Sequence, residues 1–461
     1  MSTAGSPRYP HRRRHRATTI PLALVTTTAL LAGCTGAGDL GGGDGRTRLT
    51  VAIVSNPQMQ DAIALSPRFE EEFPDVDLEF VSLAENEARA KITASVATGG
   101  GEYDVVMVSN YETKMWAENG WLANLQPSID ASPDYDHEDF IPTVRESLSY
   151  QDDMYSVPFY GESSFLAYRE DLFEEAGLEM PANPTWPEIA EFAEQLKDPE
   201  EGRVGICLRG LAGWGENLAP LNSVINTFGG RWFDENWNAQ LTSPEVREAV
   251  QFYVDLVREH GQPGAATSGY SDCITRYSQG QAAMWYDASA MVASVENPDD
   301  SVVVGESGYA PAPVVDTDTS GWLFTWALAI PETSENKDLA WEFVSWMTDK
   351  DYQRMVGEEF GWPRVPPGAR ESTYEIPEYA AEAQAYAEPT LDALASANEL
   401  DPSVAPVPYE GIQFLRIPEF QDLGTRVGQQ ISAAIAGSVT VDEALEQSQR
   451  YAETVGQTYR K

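Results

Sequence analysis

The chain has 461 residues, with 73 acids against 30 lysines and arginines and a formal charge of −43. That charge repels nucleic acid and anionic lipid surfaces, so neither is expected as a partner. Aromatic residues make up 10% and include 12 tryptophans, too many for a disordered acidic polymer, and the length exceeds what one core usually supports, so two domains are expected.

Arg12, Arg13, Arg14 and Arg16 form a basic head, and residues 20–33 are an apolar run that ends in small residues before Cys34. The run is too short for a permanent membrane span, so 1–33 read as a secretory signal. Leu31-Ala32-Gly33-Cys34 resembles the bacterial lipobox, which implies that Cys34 is acylated and holds the protein at the outer face of the cell membrane. The export route stays open. Residues 34–48 are glycine-rich without apolar patterning and read as a flexible tether. With Cys34 assigned to the anchor, Cys207 and Cys273 remain in an oxidising compartment, either bonded or as two buried thiols.

From Leu49, LTVAIV, a helix ending at Phe73, VDLEFVSL, a helix with Ala88, Ile92 and Val96 on one face, and YDVVMVS alternate strand and helix. This order predicts parallel strands with helical crossovers, and ligand loops at the carboxyl ends of the strands. Those ends carry Ser55-Asn56, Glu85-Asn86 and Asn110-Tyr111-Glu112, residue types that also cap helices. Residues 155–173 start as a strand, break at Gly161 and resume as an apolar run at Phe165, a pattern able to carry the chain into a second domain. At the break Tyr160 offers a flat face and a hydroxyl, and Glu162 two acceptor oxygens.

Thr185 and Glu188 form a capping box before a stripe of Ile189, Phe192, Ala193 and Leu196, and Ser243-Pro244 opens a helix with Val246, Val250, Tyr253, Val254 and Val257 on one face. Both stripes are core. Between them Trp214, Glu216, Asn217, Asn222 and Asn226 lie where regular patterning is weak. Trp285 and Asp287 are two residues apart, so a strand through them points both to one face. Residues 321–331 return as a strand, the helix from Lys337 packs on the first lobe, the chain re-enters the second lobe after Gly361-Trp-Pro-Arg364, and Thr440 and Glu443 cap a last helix.

The segments YSVPFYGESSFLAYREDLF, TWPE, GWGENLAPLN, FGGRWFDENW, YSQGQAAMWYD and GWPRVPPG together resemble the extracellular solute-binding proteins of ABC importers, in the branch that holds the maltose- and trehalose-binding proteins. Residues 206–240 and 408–438 are most similar to the sorbitol/mannitol-binding proteins. The resemblance covers nearly the whole chain beyond the signal. It implies an α/β fold of two lobes, each a mainly parallel sheet flanked by helices, with the ligand cleft between them. Lobe I is expected at 49–157 plus 325–360 and lobe II at 158–324 plus 361–461.

The implied function is capture of a sugar alcohol by a lipid-anchored monomer that delivers it to a membrane permease, with no cofactor and no chemistry. Polyol hydroxyls both donate and accept, so acids, amides and arginine are needed for bonds and aromatics for the C–H faces. The expected set is Asn56, Tyr111 and Glu112 from the first lobe, with Tyr160, Glu162, Trp214, Asn217, Trp285, Asp287, Trp322 and Arg364 from the crossings and the second lobe. The same receptor for a mono- or disaccharide is one alternative. Others are a secreted glycoside hydrolase with two facing carboxylates and a surface adhesin. A metal centre is not expected, because only His137 and His260 remain beyond the signal. Neither a nucleophile elbow nor a phosphate-binding loop occurs.

Overall fold

The computed structural model describes residues 45–460. The expected signal, Cys34 and most of the expected tether lie outside the described residues. Two mixed sheets organise the described chain. The first runs in the order β2 (Val76–Leu83), β1 (Thr47–Val54), β3 (Val105–Ser109), β11 (Phe324–Ala329) and β6 (Ser156–Glu162). A short hairpin, β4 (Ser149–Tyr150) and β5 (Asp153–Met154), precedes β6. The second sheet has the order β10 (Ser307–Pro311), β7 (Ser164–Arg169), β9 (Ala282–Ala288) and β8 (Val204–Cys207).

Among the strands of the two sheets, parallel pairing is confined to β2–β1–β3 and β8–β9. The strands beside the crossings are antiparallel: β11 to β3 and β6, and β7 to β9 and β10. A strand that re-enters a lobe from the other one arrives from the end where its neighbours leave. The mainly parallel sheets expected from the strand–helix alternation therefore hold only where helical crossovers join the strands.

β6 does not break at Gly161. It stays in the first sheet through Glu162, so the first crossing falls at Ser163, beyond the boundary expected at 157. Gly161 serves a close backbone approach instead: its N–H donates to Pro367 O at 3.0 Å, and a Cβ there would stand 2.3 Å from Gly368 O. Pro158 is tolerated because β6 is the edge strand. Its register against β11 shifts after the Trp326–Tyr160 pair, so that Ala327 faces Pro158. A bulge of this kind re-aims the side chains beyond it, here Tyr160 and Glu162.

The helix caps follow the sequence. Thr185 with Glu188, and Thr440 with Glu443, close their capping boxes, and Ser243 caps the helix Pro244–His260. The helices Phe420–Ile435 and Val441–Tyr459 pack on that helix. Residues 364–370 do not yet leave the first lobe. Arg370 is fully buried and donates to the carbonyls of Tyr135, Asp136 and Thr348 and to Asp139. Arg364 forks onto Asp61 of the helix Pro57–Glu72 and stands 3.7 Å from Asp300, which precedes β10 of the second sheet, so one guanidinium bridges the two lobes.

Candidate functional site

A cavity of about 190 Å³ opens where the two sheets meet. From the first sheet it receives Ser55, Asn56 and Gln58 after β1, Glu85 after β2, Tyr160 and Glu162 of β6, and Trp326 of β11. From the second come Arg209 after β8, Glu216, Tyr270 at the start of the helix Tyr270–Ser278, and Ala288 ending β9. Strand ends facing each other across a crevice are the usual ligand position in open α/β sheets.

Local chemistry sets each side chain. Asn56 caps its helix by accepting from Met59 N at 2.8 Å, which leaves its amide to donate to the Tyr160 hydroxyl at 3.0 Å. The Tyr160 proton then remains available to a ligand. Tyr160 and Glu162, two apart on a strand, share a face, and Trp326 lies across from Tyr160. Glu162 is only 9% exposed, and no described residue donates to its carboxylate. Burial therefore pushes its pKa up to about 8, against the opposing pull of Arg209 and with Asp287 and Glu85 adding to the rise.

Arg209 carries the second lobe's wall. Its Nε donates to Asp287 Oδ2 at 2.8 Å, its Nη2 to the other oxygen, and its Nη1 to Gly215 O at 2.9 Å; the guanidinium also lies 4.9 Å from the Tyr270 ring centre. Glu216 accepts from Tyr270 N at 3.3 Å, and burial pushes its pKa up to about 7 against the pull of Arg209. The Cys207–Cys273 disulfide ties the strand leading to Arg209 to the helix that begins with Tyr270. Of the two alternatives for these cysteines, the structure has the bonded one.

Of the residues expected from sequence, Asn56, Tyr160 and Glu162 line the cavity together. The others do not line it. Asp287 is fully buried under Arg209, and Trp285 packs behind Tyr270 at 5.7 Å between ring centres. Glu112 closes the capping box of the helix Asn110–Glu118 with Ser109 and accepts from Arg89 Nη1 at 2.6 Å. Arg89 in turn lies 4.6 Å from the Trp214 ring centre and 4.4 Å from that of Trp326, so Glu112 and Trp214 support the indole that reaches the cavity. Tyr111 packs among Trp214, Phe414 and Phe420 through tilted and edge-on contacts, with its hydroxyl donating to Ile417 O at 2.9 Å. Asn217 is spent on Gly428 O at 2.9 Å, Trp322 packs on Tyr286, and Arg364 is the bridge outside the cavity.

Nothing in the sequence pattern marks Arg209, Tyr270, Trp326 or Gln58 as site residues, whereas Glu85 stands at a strand end and Glu216 in a weakly patterned stretch. An arginine closing the apolar run VGICL is the one available signal for Arg209.

Residues 55–354 match the family model of the bacterial extracellular solute-binding protein. The chain is 42% identical over 407 residues to a mannitol-binding protein of Pseudomonas aeruginosa, covering 88% of this chain and 92% of that one. Its fold is similar to that of an ABC transporter solute-binding protein from Agrobacterium vitis S4 with bound D-mannitol, with a TM-score of 0.87, 44% identity, and coverage of 89% and 99%. A solute-binding protein from Agrobacterium radiobacter K84 in complex with ribitol is similar at a TM-score of 0.78 and 25% identity, with coverage of 88% and 98%.

Proposed function

The chain belongs to the bacterial extracellular solute-binding proteins, a family of receptors rather than enzymes, and from that premise we propose that it captures a linear sugar alcohol between its lobes and delivers it to an ABC permease. One observation carries the reading. The cavity of about 190 Å³ is walled by three carboxylates, a guanidinium and two phenols around the Trp326 indole. A pentitol or hexitol bears a hydroxyl on every carbon, each a donor and an acceptor, with C–H edges that suit an indole. The volume lies below the roughly 300–1,000 Å³ of sites for drug-sized ligands, which favours an open-chain polyol over a disaccharide. The mannitol- and ribitol-bound relatives support the same class. Because both lobes supply wall residues, a ligand touching both binds the closed state better and so stabilises closure.

We assign Cys34 as the lipid anchor that holds a monomeric receptor at the outer face of the membrane. The ligand class is tested by thermal scans of the purified protein with mannitol, sorbitol, arabitol, xylitol, glucose, maltose and trehalose. At a thousandfold excess over Kd a ligand adds about 4 kcal/mol, a rise of several degrees. A rise with at least one linear polyol, recovered unchanged, is expected. A rise with a disaccharide alone refutes the polyol assignment.

A further inference from the structure

The donors and acceptors of the cavity wall do not balance. Glu162 has both carboxylate oxygens free of protein donors and is nine-tenths buried. Glu216 spends one oxygen on Tyr270 N, and Glu85 spends one on Arg89 Nε at 3.0 Å. Arg209 is the one basic side chain among the described residues lining the cavity, and Asp287 and Gly215 take three of its five N–H groups. Its charge is matched by Asp287 behind the wall, and that of Arg89 by Glu112. Glu85 shares Arg89 with Glu112, and Glu216 stands 4.0 Å from Arg209 Nη1, so two guanidiniums serve several carboxylates and Glu162 has no ion-pair partner among the described residues. Burial raises the Glu162 pKa to about 8, so at pH 7 it keeps its proton in the empty cavity, and a bound cation would take that proton's place as it leaves to solvent.

Resting on the polyol reading, we propose that the cavity prefers a protonated amino sugar alcohol, with an ammonium in place of one hydroxyl, over the neutral polyol and rejects the corresponding sugar acid. An ammonium brings three donors and no acceptor, which is what a wall rich in free acceptors lacks. It replaces a hydroxyl with little change in volume, and its charge-assisted bond to Glu162 is stronger than a neutral one. A terminal carboxylate would face Glu85, Glu162 and Glu216, and apart from the remaining Arg209 donors it would be met only by protons held on Glu162 and Glu216.

The test is calorimetric titration at pH 7 with D-mannitol, 1-amino-1-deoxy-D-mannitol and D-mannonate. The amine is expected to bind at least tenfold tighter than mannitol, and mannonate at least tenfold weaker. Glu162→Gln should cut the amine-to-mannitol preference at least tenfold, and Glu216→Gln should lower the same ratio should the first variant not fold. Mannitol binding with the amine equal or weaker, or with mannonate equal, overturns this inference and leaves the polyol reading in place. Binding of none of the three overturns both.

Discussion

Asp287→Asn separates a residue that touches ligand from one that holds the residue that does. Asp287 is fully buried and accepts two N–H groups from Arg209 and one from Ala288 N at 2.7 Å. Asparagine retains one acceptor, but its amide nitrogen meets an arginine N–H donor to donor. A guanidinium only 6% exposed then loses its countercharge. Breaking one side of a buried pair costs about 3–5 kcal/mol, and a domain of this size loses about 2–4 °C per kcal/mol. The expected fall in melting temperature is therefore roughly 6–20 °C, with weaker polyol binding by the folded fraction as Arg209 swings from its place. Arg209→Met combined with Asp287→Leu should recover most of the stability, since apolar replacement of both partners is often neutral, while polyol binding stays weakened. An Asp287→Asn protein that melts normally but has lost its ligand would refute the reasoning and place Asp287 in contact with the solute.

Three further outcomes are expected. Folding raises the pKa of Glu162 from 4.5 to about 8 and that of Glu216 from 4.5 to about 7. The native state thus binds more protons than the unfolded chain, and this contribution is complete below pH 4.5 and lost as pH rises through 7 to 8, on the order of a few kcal/mol. The melting temperature of ligand-free protein should fall between pH 5 and 8, less steeply in Glu162→Gln; equal slopes would contradict it. Arg364→Ala removes the Asp61–Arg364–Asp300 bridge outside the cavity, so stopped-flow release of polyol should quicken several-fold, and an unchanged release rate would show that the bridge does not hold closure. Cys34→Ala should leave the body folded and free it from the membrane fraction; retention there would refute the anchor.

What was legible in the sequence was local. The alternation of β1, β2 and β3 with helices, the two capping boxes and the core stripes depend on neighbours within a few residues, and each stands where expected. Asn56, Tyr160 and Glu162, which line the cavity, stand out in the sequence because they sit at strand ends or beside a crossing. Trp326 was hidden inside FTWALA, a strand buried on both faces that shows no alternation to mark which side chain meets solvent. Trp285 and Asp287 do share a face, as their spacing demands, but Tyr270 and Arg209 arrive from elsewhere in the chain to cover it. Pairing across the second lobe decides which of them reaches the cleft, and strand periodicity carries no information about that.

The central claim is that this cavity receives a small linear polyol, and a crystal structure of the D-mannitol complex tests it most directly. The predicted result is one polyol between the sheets, its carbon chain along Trp326 and its hydroxyls within about 3.2 Å of Glu162, Arg209 and Glu216. A polyol lodged elsewhere, with Glu162 and Arg209 untouched, would contradict the account.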